Sequence, residues 1–146
     1  MAHTPLPPQI SAGARHNGAL TVSGHLFIWG SNSFGQLGLG DQMRRPTPRL
    51  VHLMLSHCIV SVCCGEHHTA VLTAKGAVFT WGDGNYGQLG HGNTSQQIVP
   101  RQVQELMGDK VCGLFVGTIY IRDLSIYLAN NRMLNLNNQY FSITNI

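Results

Sequence analysis

Short runs of β-branched and aromatic residues, each ended by glycine, set the rhythm of this chain. Ala19-Leu20-Thr21-Val22, then Ser23-Gly24, then His25-Leu26-Phe27-Ile28-Trp29 predicts strand, tight turn, strand. Ala70-Val71-Leu72-Thr73, Ala74-Lys75-Gly76 and Ala77-Val78-Phe79-Thr80-Trp81 predict the same pattern again. A further strand, Ile59 to Cys63, precedes this second set, and a short one around Arg101-Gln102-Val103 comes after Pro100. No apolar stripe of helical period competes with this reading. About four short strands therefore fall in each stretch of 52 residues.

The two sets are copies. Gly13, His16, Gly24, Trp29 and Gly30 recur 52 positions later as Gly65, His68, Gly76, Trp81 and Gly82. Phe34-Gly35-Gln36-Leu37-Gly38-Leu39-Gly40 recurs as Tyr86-Gly87-Gln88-Leu89-Gly90-His91-Gly92. No gap is needed between 11–51 and 63–103. Four-stranded units at this period are the mark of propeller blades, which bury their faces by stacking on neighbours. Matched tryptophans in each copy, Trp29 and Trp81, are suited to filling the space between sheets.

These blocks closely resemble the regulator of chromosome condensation repeat family. Gly13-Ala14-Arg15-His16-Asn17-Gly18-Ala19-Leu20-Thr21 and Gly65-Glu66-His67-His68-Thr69-Ala70-Val71-Leu72-Thr73 carry its first half. Trp29 to Gly40 and Trp81 to Gly92 carry its second. The resemblance implies a seven-bladed β-propeller used mostly as a protein-binding platform. Some members resemble exchange factors for small GTPases; others are propeller domains of ubiquitin ligases, kinases or traffic regulators. Only two full repeats are present here. The expected class is thus all-β, an incomplete β-propeller of about two four-stranded blades with a non-matching C-terminal tail. The expected division is a lead-in at 1–8, two repeats over 9–110 (about 9–60 and 61–110), and a divergent tail at 111–146. The tail has neither Trp nor Gly-Gln-Leu-Gly. It reads as a foreign segment, with a diverged capping segment as the alternative.

Composition narrows the function. Glycine is 17 of 146 residues, above the usual fraction of about 7%, as a turn-rich β fold requires. Net charge is +3 and charged residues are only 10%, which argues against a nucleic-acid-binding stripe. No run is long enough to span a membrane. The first residues lack a signal-peptide pattern, so an intracellular location, cytoplasmic or nuclear, is expected, with Cys58, Cys63, Cys64 and Cys112 as free thiols.

Candidate chemistry is sparse. Gly82-Asp83-Gly84-Asn85-Tyr86-Gly87 fits G-x-G-x-x-G, but the next residues, Gln88-Leu89-Gly90-His91-Gly92, are too glycine-rich to open a helix, and the first copy lacks the middle glycine. Cys63-Cys64-Gly65-Glu66-His67-His68 gathers metal-ligand types, yet adjacent cysteines of a strand face opposite ways. His16, His68, Gln36 and Gln88 hold repeat positions, which predicts scaffold hydrogen bonds rather than catalysis. The other scaffold positions are Gly13, Gly24, Trp29, Gly30, Gly35, Gly38, Gly65, Gly76, Trp81, Gly82, Gly87 and Gly90. Arg44, Arg45, Arg49 and Arg101 are expected in inter-strand loops open to a partner. No catalytic, cofactor-binding or metal-binding residues are expected, and no cofactor. The expected function is a non-catalytic protein-interaction module, a fragment or isoform of a larger regulatory protein. The alternatives are a guanine-nucleotide exchange factor or the propeller domain of a ubiquitin ligase. Expected partners are a protein, such as a small GTPase or ubiquitin-pathway protein, and further copies of the chain through uncovered blade faces.

Overall fold

The computed structural model describes residues 8–107, 111–116, 124–128, 132–135 and 144–145. Three antiparallel four-stranded meanders make up its sheets. The first holds β1 (Gln9–Ala12), β2 (His16–Leu20), β3 (Leu26–Gly30) and β4 (Arg45–Leu50). The second holds β5 (Ile59–Cys64), β6 (His68–Thr73), β7 (Val78–Gly82) and β8 (Gln97–Gln102). Short 3₁₀ turns, His52–Met54 and Gln104–Leu106, come after β4 and β8. Among the described residues no helix is long and apolar enough to cross a membrane.

The 52-residue repeat in the sequence is a repeat in register. His16 faces Gly30 and Leu20 faces Leu26; His68 faces Gly82 and Leu72 faces Val78. Ile28 opposes Arg49 as Thr80 opposes Arg101, and an irregularity breaks each ladder one step further on. The expected incomplete β-propeller of two four-stranded blades is therefore present, continued by a tail whose sequence departs from the pattern.

The strands differ in detail from the expectation. β2 starts at His16 rather than Ala19 and β6 at His68 rather than Ala70, so each repeat histidine opens a strand. The basic segment expected as a loop is mostly β4, although it holds Pro46 and Pro48. β4 is the outermost strand of its sheet, where a residue without an N–H leaves no ladder partner unpaired. The same holds for Pro100 in β8.

The tail contributes a third sheet, in the order β12 (Thr144–Asn145), β11 (Arg132–Asn135), β10 (Leu124–Leu128), β9 (Val111–Val116). β9 lies 52 residues after β5, so the repeat spacing persists through Val116. β10 begins 56 residues after β6, so the spacing is then lost.

The core obeys the same arithmetic. Leu20, Leu26, Val51, Met54, Ile59 and Val62 form one buried cluster. Leu72, Val78, Val103, Leu106, Val111 and Leu114, each 52 positions later, form another. Each cluster is thus sealed by the first strand of the next sheet. Hydrophobic burial is contributed between sheets as much as within them.

Candidate functional site

The junction between the first two blades explains most of the repeat residues. Trp81 is fully buried and its indole N–H donates to the Gln36 carbonyl at 2.8 Å. Thr69 also donates its hydroxyl to that carbonyl, at 2.7 Å. A threonine has one hydroxyl proton, so the 2.8 Å contact between His16 Nε2 and Thr69 Oγ1 has the imidazole as donor. That makes His16 the Nε2–H tautomer. Burial, then the charges of His68 and His67, lower its pKa to about 4 and keep it neutral. The Gln36 side-chain oxygen accepts the Phe34 N–H at 2.9 Å, pinning the turn. Gly38 closes the arrangement: its φ is +67°, and a Cβ there would lie 2.7 Å from the Trp81 indole nitrogen.

The second copy has the same parts without the same cover. Gln88 accepts the Tyr86 N–H at 2.8 Å, as Gln36 does for Phe34. His68 is 1% exposed, and burial lowers its pKa to about 4 against the pull of Asp83. Its Nε2, however, has no hydrogen-bond partner. Trp29, which lacks a preceding sheet to cover among the described residues, is only half-buried.

The remaining repeat residues serve the backbone. Gly24, Gly30, Gly35 and Gly38 all have positive φ, as do Gly76, Gly82, Gly87 and Gly90. Gly13 and Gly65 lie against the rings of His16 and His68. Asn32 is a buried residue that repetition does not reveal. Its amide ties the turn to Asp41 at 2.9 Å and accepts the Leu37 N–H at 3.0 Å, yet Gly84 stands at its place in the second copy.

The four arginines do not form the expected set of open loops. Arg45, Arg49 and Arg101 lie in the outer strands β4 and β8; Arg44 alone lies in the loop before β4. Pro46 and Pro48 conceal β4 in the sequence, whereas a strand at Arg101 is expected from it. Arg45 is also engaged, with Asp41 at 2.7 Å and the Met43 carbonyl at 2.6 Å. Arg44, Arg49 and Arg101 are exposed.

The metal-like and nucleotide-like motifs take structural roles. The Cys63 thiol contacts the Leu114 carbonyl at 3.5 Å, and the Cys64 N–H donates to Ser11 at 2.8 Å. Burial pushes the two thiols up to about 11 and about 12, so neither is a thiolate ready to react or to bind metal. Among the described residues no group of three His, Cys, Asp or Glu converges on a metal position. In the 82–87 loop, the Asn85 N–H goes to the Asp83 carboxylate at 3.0 Å and the Tyr86 N–H to Gln88. Those donors are spent within the loop, which carries no helix to receive a phosphate.

One cavity of about 190 Å³ lies beside His68, lined in part by Phe34, Glu66, His67, Asp83 and Tyr86. Phe34 stacks on His67 across the blade junction, with ring centroids 4.6 Å apart. His67 Nε2 lies 3.8 Å from Glu66, while its Nδ1 is buried without a partner. The residues that distinguish this corner are those the repeat does not share. Glu66, His67, Asp83 and Asn85 replace Ala14, Arg15, Ser31 and Ser33.

Stacked four-stranded meanders, with a buried tryptophan at the junction of the first two, define a β-propeller repeat protein. The Regulator of chromosome condensation (RCC1) repeat matches residues 23–72 and 75–118, and the chain belongs to that family. It is 53% identical over 109 residues, 75% of its length, to the human "Probable E3 ubiquitin-protein ligase HERC4". The chain spans only 10% of that relative's length. It is 42% identical over 103 residues to the "Ultraviolet-B receptor UVR8" of Arabidopsis thaliana, covering 70% of this chain and 23% of that one. In fold it is similar to Prp20p of Saccharomyces cerevisiae, with a TM-score of 0.74 and 21% identity over 94% of this chain and 36% of that one.

Proposed function

We propose that the chain is a non-catalytic protein-interaction module. It comprises repeats at about 9–60 and 61–110 and works as part of a larger intracellular regulatory protein. The observation that carries this is the buried, bonded blade junction. His16 Nε2, the Thr69 hydroxyl, the Gln36 carbonyl and side-chain oxygen and the Trp81 indole are joined to one another and to backbone, while His16 Nδ1 and Gln36 Nε2 are unpaired but buried. What remains for function is surface, including exposed Arg44, Arg49 and Arg101. Kinship with a probable ubiquitin ligase favours a ubiquitin-pathway setting, where such a module would hold a substrate or regulator.

A guanine-nucleotide exchange role is the second reading. The Prp20p structure is described with binding properties to Gsp1p and histones, and its fold is shared here. Both repeats of this chain are compact, with no inserted element to wedge into a GTPase, and fold alone does not transfer function. Release of a fluorescent guanine nucleotide from a small GTPase tests the two. The purified chain is expected to leave the release rate unchanged. A saturable acceleration overturns the module reading in favour of exchange.

A further inference from the structure

The cavity beside His68 carries chemistry that the blade does not need. We propose that it receives a single arginine side chain presented by a partner protein. The inference rests on the module reading for the source of the arginine, and on the cavity itself for its chemistry.

Size is the first argument. At about 190 Å³ the cavity is smaller than the roughly 300–1,000 Å³ of sites that hold a whole small molecule. It suits one side-chain head group. Charge is the second. Glu66 and Asp83 supply two of the chain's six carboxyl side chains at this one corner, in a chain of net charge +3. An anion would meet both carboxylates, and no third ligand converges to complete a metal site among the described residues. A cationic head group is what remains.

Geometry selects the guanidinium among cations. His68 is 1% exposed and its Nε2 has no partner; His67 Nδ1 is likewise buried and unpaired. Leaving such atoms unpaired costs free energy, and a ligand that satisfies them recovers it. A guanidinium has five N–H donors in a plane, enough to reach an imidazole nitrogen and a carboxylate together. It also stacks on flat rings, which the Phe34–His67 pair and the 57% exposed Tyr86 provide. An ammonium has three donors on a compact point charge and gains less from that wall.

The first copy is an internal control. Ala14, Arg15 and Ser31 stand where the second copy has Glu66, His67 and Asp83, and that blade is built with the same register. The two carboxylates and the His67 imidazole are therefore not a demand of the fold.

The test uses the full chain, isotope-labelled, with a blocked Gly-Arg-Gly peptide as probe and the imidazole nitrogens of His67 and His68 as readout. The expected result is a saturable shift of the His68 Nε2 resonance, with the citrulline peptide of the same shape at least tenfold weaker. Asp83→Asn keeps the turn to Asn85 and is expected to weaken binding at least tenfold. Glu66→Gln, at a more exposed position, should weaken it several-fold and serves if the first variant fails to fold. An unmoved His68 signal, or a citrulline or lysine peptide binding as well as arginine, overturns the proposal. That outcome leaves the module reading intact, since the nucleotide-release assay judges it separately.

Discussion

Two residues at matched places in the repeat, Trp29 and Trp81, have different fates, and the difference measures what a neighbouring blade contributes. Trp81 is fully buried against Gly38 and bonded to Gln36, whereas Trp29 is half-buried. Trp81→Ala should lower unfolding stability by about 3–5 kcal/mol, as for other buried aromatics. Trp29→Ala should cost about 1 kcal/mol, near the average for single substitutions. Urea unfolding of both variants checks the ordering, and equal losses would contradict the asymmetry. Histidine provides a second measurement at this scale. His16 and His68 fall from 6.5 to about 4 on folding. The unfolded chain therefore binds more protons between these values, and stability rises with pH across that window. The contribution is complete above about pH 6.5 and is lost as pH falls towards 4, on the order of 3 kcal/mol for each imidazole. Thermal unfolding monitored from pH 7 to pH 4 should show this loss, and His16→Gln should flatten part of it.

At the scale of the element, turns identical in conformation differ in what they touch. Gly35 and Gly87 have φ of +72° and +74°. A Cβ at Gly35 would lie 2.7 Å from Ile98 in β8, while at Gly87 it would meet nothing within 4 Å. Both Gly→Ala changes incur the left-handed penalty of roughly 1–2 kcal/mol. Only Gly35→Ala adds a clash with the next blade, so it should be the more destabilising, as differential scanning calorimetry of the pair would show. Elements also show where sequence reasoning succeeds. The hairpins β2–β3 and β6–β7 are legible because β-branched runs flank a glycine turn and occur twice. β4 is not, because Pro46 and Pro48 argue against a strand unless its edge position is known. The cavity beside His68 is illegible for a different reason. Repetition reveals what both copies share, and Glu66, His67 and Asp83 are what they do not.

Among the described residues a one-directional rule holds: each of the first two sheets is completed by the first strand of the sheet after it. Ile59 and Val62 of β5 seal the first blade, and Val111 and Leu114 of β9 seal the second. β9 keeps the 52-residue spacing, so the tail begins as a repeat would and then departs before β10. The register departs with it: Cys64 faces Thr69 in the second sheet, whereas Val116, 52 positions after Cys64, faces Leu124. Meanwhile the first blade offers the half-buried Trp29 on its other side. The second blade is covered by β9, so the uncovered edge is the one that carries Trp29, and an open apolar edge favours association. The isolated chain should therefore associate in a concentration-dependent way, visible as a rising sedimentation coefficient. Trp29→Ala should suppress the association at modest cost to folding, because that ring contributes little within its own chain. A chain that stays monomeric throughout the concentration series and unfolds cooperatively would show that its uncovered faces need no partner.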